Sequence, residues 1–286
     1  LERFDEATLR NAFGLAFSQA AGTMQAHVEG RPTLALQIGL ATRAGMNAVD
    51  LARAGFPGPQ DMLEGPFGFY EVMEGAWDAA PFEALGRASR IAEVSIKPFP
   101  TGRATHAGID GIQRLLATER IEADEVERLT LMVPPLVHRL VGRPYREDMT
   151  VSYARLCFQY VGAVALRFGT VDVADFRPER LADPGLRDLS RRIEVVVDGN
   201  PDPNALVPQT VRVRLRGGAV REISVEHMLG SPMNPLSQAQ REDKFRRAWS
   251  GAVRSLAPET ADRAIAMAAR LQELDDVRAF VRLAIP

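Results

Sequence analysis

Val211-Arg212-Val213-Arg214-Leu215-Arg216-Gly217-Gly218-Ala219-Val220-Arg221-Glu222-Ile223-Ser224-Val225 is the stretch that decides the fold class. Its first half alternates β-branched or apolar residues with arginine, and Gly217-Gly218 supplies the backbone freedom of a tight turn, so it predicts a hairpin. A period of two sends Val211, Val213 and Leu215 toward a core and Arg212, Arg214 and Arg216 toward water. Working outward, Leu129, Leu131 and Val133 alternate in the same way, and Ile193 to Val197 reads as a further strand. Between these and around them the period changes to that of helices. Ile109, Ile112 and Leu116 mark a short one, and beyond Ser231-Pro232-Met233-Asn234-Pro235 helical texture covers 238–250, 259–271 and 275–283.

The first part of the chain is helical from Asp5 to about Glu93. Leu9, Phe13, Phe17, Ala20 and Met24 recur at helical spacing before Gly30-Arg31-Pro32. Ala41, Gly45, Ala48 and Ala52 then form a stripe of small residues that permits close approach of a second helix, ended by Gly55 and Pro57. Prolines at 98 and 100 impose an extended connection in Lys97-Pro98-Phe99-Pro100. The order helices, mixed α and β, helices predicts an α+β protein: a mostly helical domain (1–96 and 233–286) with an inserted α+β lid domain (97–232).

Composition bounds the function. The 286 residues are 46% hydrophobic and 25% charged, with a formal net charge of −2, which sets aside disorder and gives no sign of a polyanion-binding chain. The single cysteine, Cys157, excludes an internal disulfide and suits a reducing, cytoplasmic compartment. No apolar run approaches the roughly 20 residues of a membrane span. The four histidines, His27, His106, His138 and His227, are far apart, and nothing local argues for a metal site; no nucleotide-binding glycine motif or serine-hydrolase elbow is present. The chain opens at Leu1 without an initiator methionine and reads as a processed product or a fragment.

Only Lys97 and Lys244 among the 35 basic residues are lysines. A lysine is a compact point charge that can release its proton, whereas arginine cannot, so Lys97 is a candidate for electrostatic or proton-transfer chemistry; the alternative is a solvated lysine beside two prolines. In Arg103-Ala104-Thr105-His106 the reading places Thr105 as the cap of the helix that carries Ile109, with His106 in its first turn, held neutral by the positive end of the helix dipole and so a candidate catalytic residue, a supporting acid, base or orienter. Arg103 is a candidate carboxylate clamp. The alternative for this stretch is a capped helix with solvated Arg and His side chains. His27, His227, Tyr160, Trp249 and Cys157 read as structural.

Six ordered stretches carry a resemblance. They are Gly39-Leu40-Ala41-Thr42-Arg43-Ala44-Gly45, Ala54-Gly55-Phe56-Pro57-Gly58-Pro59, Leu63-Glu64-Gly65 with Gly68-Phe69, Lys97 through His106 to Asp110, Phe158-Gln159-Tyr160, and Ser231 to Pro235. Together they make the chain similar to the C-terminal part of the MmgE/PrpD family, which includes 2-methylcitrate dehydratase, cis-aconitate decarboxylase and iminodisuccinate epimerase. The resemblance implies a dimeric, cofactor-free lyase or related isomerase. In such an enzyme a helical domain and an α+β lid act on a small polycarboxylate by proton transfer α to a carboxylate. It implies Lys97 as the active-site lysine, with Arg103 and His106 on the same loop.

The chain also departs from the family pattern. Gln19 stands where the family often has histidine, Leu34 and Gln37 where it has lysine and histidine, and a family tyrosine aligns near His138. Gln19, Gln37 and His138 are therefore candidate substrate-binding residues, although a lone glutamine on a helix is more often a packing or solvated group than a ligand. An acidic, histidine-bearing N-terminal segment of the family has no counterpart. Two expectations follow: an enzyme of this family, or a non-catalytic or partner-dependent subunit that keeps the fold with an incomplete site. A homodimer, or a partner chain supplying the absent helices, completes either; no nucleic acid or membrane is involved.

Overall fold

A computed structural model describes residues 4–75, 77–78, 80–87, 89–254 and 256–285, and the fold is α+β. The chain divides into two compact units, Leu1–Arg90 and Ile91–Pro286.

In the first unit, α1 (Glu6–Phe17) packs on α2 (Thr33–Arg53). Asp5 starts α1 by accepting the Thr8 amide at 2.7 Å on its carboxylate, which satisfies one of the free N–H groups of the first turn. The run of apolar residues that predicts a helix as far as Met24 stops early: α1 ends at Phe17, and Gly22 has a φ of +99°. The small-residue stripe divides in two. Ala48 and Ala52 are buried with Ala12 and Leu15 as the core between the helices, while Ala41 and Gly45 line a cavity. Around them Leu36, Ile38, Leu40 and Met46 of α2 are exposed. Asn11 ties the following segment down, its side-chain oxygen accepting from the Gly58 amide and the Gln60 side chain.

The second unit is built on a four-stranded sheet in the order β2-β1-β3-β4: β1 (Val126–Val133), β2 (Ile193–Val197), β3 (Gln209–Leu215) and β4 (Val220–Val225). β1 runs parallel to β2, with Leu129 opposite Ile193, and antiparallel to β3, with Leu131 opposite Val211. The hairpin of β3 and β4 turns at Gly218, whose φ of +83° is left-handed. The alternation is as the sequence predicts: Val211 and Val213 are buried, Leu215 is half-buried, and Arg212, Arg214 and Arg216 are exposed. Full burial of each such valine or leucine is worth about 1.5–3 kcal/mol.

Two helices, α3 (His106–Glu119) and α4 (Phe158–Phe168), contribute Ile109, Ile112, Leu115, Phe158 and Val161 to the same core as the strands. A Cβ at Gly111 of α3 would lie 2.6 Å from the Val211 side chain, so this glycine lets the helix sit close to the sheet. Tyr160 is fully buried and donates to the Asp175 carbonyl at 2.6 Å. Buried Cys157 is the N-cap residue of α4, immediately before it, and burial pushes its thiol up to about 11.

Near the C-terminus, α5 (Gln238–Ser250) and α6 (Pro258–Ala268) follow, with a short turn at Arg278–Arg282. A reciprocal cap starts α5: Ser237 Oγ accepts the Gln240 amide and Gln240 Oε1 accepts the Ser237 amide. The last two helical segments are shorter than their sequence patterns suggest. The sequence reading groups 233–286 with 1–96; by its contacts this segment lies in the second unit, where Arg247 of α5 pairs with Asp172 at 2.9 Å. Among the described residues no helix is long and apolar enough to cross a membrane.

Candidate active site

The segment around Lys97 is held from both ends. The Ile96 amide donates to the Gly230 carbonyl at 2.8 Å, and the Gly230 amide donates to the Asn234 carbonyl at 2.7 Å. The turn from Ser231 to Asn234 thus braces the strand-like approach to Lys97. Gly230 is required there: its φ is +86°, and a Cβ would drive into the Ile96 carbonyl. Beyond Lys97, Pro98 and Phe99 are buried, while Lys97 itself is exposed.

The Lys97 ammonium donates to the Thr101 carbonyl at 3.2 Å, which leaves two of its three donors unused by the described residues. Thr105 occupies the N-cap position of α3, but its hydroxyl does not cap the helix. It donates instead to the Gly102 carbonyl at 2.9 Å, and because a hydroxyl has one proton, Thr101 must be the donor in the 2.8 Å contact between the two threonine hydroxyls. These bonds tighten the loop from 101 to 105 into a 3₁₀ turn at its end. Arg103, on that turn, is exposed and donates to Ser95 Oγ at 2.8 Å; no carboxylate pairs with it among the described residues.

His106 is only 1% exposed. Its ring meets Phe99 edge to face at 5.5 Å, and its Nε2 has no hydrogen-bond partner among the described residues. Burial, then the positive charge of Lys97, pushes the imidazole down to about 3. The sequence reading attributes a neutral His106 to the helix dipole; burial and Lys97 are the larger causes.

Gln209, at the start of β3, is a further buried polar residue of this region. Its Oε1 accepts the Gly108 amide at 2.9 Å and its Nε2 donates to the carbonyls of Ala104 and Leu206, each at 2.8 Å. It therefore bonds both sides of His106. The sequence reading does not single it out, although Gln209, Val211 and Val213 share one strand face and so place an amide in the core.

Two adjoining cavities open beside the Lys97 segment. One, of about 210 Å³, is lined by Lys97, Pro98, Phe99, Asp172, Lys244 and Arg247 among others; the second, of about 370 Å³, shares Pro98, Phe99, Lys244 and Arg247 and adds Gln113, Thr170 and Gln240. Lys244, Arg247 and Asp172 are also absent from the sequence reading of the site, because only folding brings α5 to this loop.

His138 is half-buried on the helix Pro135–Val141, with no hydrogen bond or ion pair to Lys97, Arg103 or His106. Gln19 and Gln37 belong to the first unit, where both line a cavity of about 260 Å³ with Ala41 and Gly45. Gln19 Nε2 donates to the Leu15 carbonyl and its Oε1 accepts from Asn47 at 3.2 Å. No cluster of three metal-ligating side chains occurs among the described residues.

The chain is similar to several known proteins. Cis-aconitate decarboxylase of Mus musculus is 28% identical over 290 residues, covering 96% of this chain and 56% of the relative. Its Homo sapiens counterpart is 28% identical over 278 residues, covering 93% and 55%. A cis-aconitate decarboxylase-like protein of Aspergillus oryzae is 23% identical over 263 residues, covering 86% and 54%. The chain thus spans a little over half the length of the curated relatives it matches. The MmgE/PrpD N-terminal domain matches residues 1–81 and the C-terminal domain residues 99–273. The sheet and the loop from Phe99 onward lie in the matched C-terminal domain, Lys97 falls between the two matched stretches, and the chain belongs to the MmgE/PrpD family.

Proposed function

We propose that this chain provides a lyase-type site for a small polycarboxylate, acting by dehydration, decarboxylation or epimerisation through proton transfer α to a carboxylate. The observation that carries the reading is the placement of Lys97: an exposed ammonium with unused donors, on a loop fixed by Gly230 and the two threonines, at the wall of a cavity. Membership of a family whose relatives here are named cis-aconitate decarboxylases supports it.

In this reading Lys97 faces the carboxylate next to the reacting carbon. Loss of carbon dioxide, or of a proton to solvent water, leaves an electron pair that delocalises onto that carboxylate, and a positive charge fixed beside it stabilises the enolate-like state more than the substrate. The ammonium also has a proton to return to carbon. Arg103, with its guanidinium exposed, is a carboxylate clamp. His106 is a positioning residue. Buried and neutral behind Phe99, it keeps the loop in place and adds no second charge beside Lys97. Gln19 and Gln37 are the candidate substrate-binding groups of the first unit, in a cavity otherwise lined by alanine, glycine and leucine.

The test is solvent-deuterium exchange. The protein is incubated in deuterium oxide with cis-aconitate, 2-methylcitrate and related acids, and proton NMR follows both products and isotope uptake at the α carbon. Uptake or product formation that Lys97→Ala abolishes is the expected result. Absence of both from every acid would overturn the proposal in favour of a non-catalytic or partner-dependent subunit.

A further inference from the structure

We infer that Lys244 forms a second carboxylate subsite, holding the end of the substrate remote from Lys97. This deepens the lyase reading and rests on it for the identity of the ligand.

The chain uses arginine for nearly all its positive charge, yet its two lysines, far apart in sequence, line the same cavity. Their neighbour Arg247 is already matched: it meets Asp172 at 2.9 Å and Asp243 at 2.8 Å. Lys244 differs in having no ion pair or hydrogen bond to any described residue, although it is half-buried. The five charged groups around the two cavities are Lys97, Lys244 and Arg247 against Asp172 and Asp243, leaving one positive charge uncompensated. A half-buried ammonium beside apolar walls, here Pro98, Phe99, Leu229 and Leu236, is stronger toward an anion than one in open water.

Size and shape agree. The larger cavity, at about 370 Å³, lies at the small end of the roughly 300–1,000 Å³ range of ligand sites and suits a compact acid rather than a nucleotide cofactor. Because the two cavities share Pro98, Phe99, Lys244 and Arg247, a ligand with one carboxylate at Lys97 extends its other end along Phe99 toward Lys244. Thr170, Gln113 and Gln240 line the far side as neutral hydrogen-bonding groups.

The experiment is calorimetric titration of propane-1,2,3-tricarboxylate, a non-reacting probe, into the parent protein and Lys244→Gln, with KM measured on whichever acid turns over. Lys244→Gln is expected to bind the tricarboxylate roughly 10- to 100-fold more weakly, the range that loss of a charge-assisted hydrogen bond gives. Lys244→Arg, which keeps the charge, is expected to retain more of the affinity, and melting curves establish that both variants are folded. Tricarboxylate affinity equal in the parent and Lys244→Gln, or no binding by the parent, would overturn the subsite. The two readings fail separately. Turnover with an unchanged KM in Lys244→Gln removes the subsite and keeps the lyase; binding that depends on Lys244, without turnover of any acid, keeps the subsite and removes the lyase.

Discussion

The side chain of Gln209 donates to the backbone carbonyl of Ala104 at 2.8 Å, linking the first residue of a sheet strand to the turn that carries Arg103 and leads into His106. Its other polar atom accepts the amide of Gly108, so one carboxamide fixes the backbone on both sides of His106. The sheet thereby sets the position of the loop. A buried amide is tolerated in that core because its donors and acceptor are all used.

Gln209→Leu keeps the side-chain volume similar but leaves the Gly108 amide and the Ala104 carbonyl without their partner. Each buried group left unsatisfied costs about 1–3 kcal/mol, so a destabilisation of about 2–6 kcal/mol is expected. Urea denaturation of parent and variant measures it. A change under about 0.5 kcal/mol, the scale of a neutral surface substitution, would show that Gln209 does not tie the loop to the sheet.

His106 gives a pH dependence of definite sign. Its folded-state pKa of about 3 lies below the ordinary histidine value of 6.5, so between these values the unfolded chain binds a proton that the folded chain refuses. The stability is fully present above 6.5 and is lost as pH falls toward 3, by up to about 1.4 kcal/mol per pH unit. Asp110 and Asp175 also titrate at elevated values through burial, so the difference between parent and variant isolates the histidine. In His106→Gln the stability difference between pH 6.5 and 4.5 is expected to shrink correspondingly; an identical pH profile would place His106 in contact with water.

These groups differ in how far the sequence foretells them. The hairpin and the strand around Leu131 are legible because a half-buried sheet enforces a period of two on the residues themselves. Lys97, Arg103 and His106 stand out in the sequence because they share ten residues that open on Pro98 and Pro100 and run into a helix. Lys244 is rare in composition but silent in position, since its approach to Lys97 depends on how α5 meets a loop nearly 150 residues earlier, which no local pattern encodes. Thr105 shows a subtler gap. Its type and place suit a cap, yet Thr101 and Gly102 offer its hydroxyl other partners that only the folded loop brings near.

Lys97→Ala separates chemistry from folding. The side chain is exposed and makes one hydrogen bond, to Thr101, so its loss should alter stability by no more than about 0.5–1 kcal/mol. Turnover should fall by roughly 100-fold or more, the scale of removing one fixed electrostatic group from a developing charge. Parallel melting curves and rate measurements decide the matter: full activity in a folded Lys97→Ala variant would remove Lys97 from the site.

Gly230→Ala tests whether the brace beneath Lys97 matters for more than stability, and Gly218→Ala is its control. Both glycines have left-handed φ values, +86° and +83°, so each alanine carries a similar conformational cost of about 1–2 kcal/mol. At Gly218, in the hairpin turn, the added methyl meets open space and nothing else changes. At Gly230 it runs into the Ile96 carbonyl and lies 3.4 Å from the Pro98 ring, two backbone-linked neighbours that cannot rotate away. Relief of that clash must move Ile96, and with it Lys97, whose place depends on the bond from the Ile96 amide to the Gly230 carbonyl. Gly218→Ala should therefore lose stability by about 1–2 kcal/mol and keep its catalytic rate, whereas Gly230→Ala should lose more stability and most of its rate. Urea denaturation paired with turnover, measured where both variants remain folded, distinguishes them; equal rates would mean that the Lys97 loop holds its geometry without Gly230.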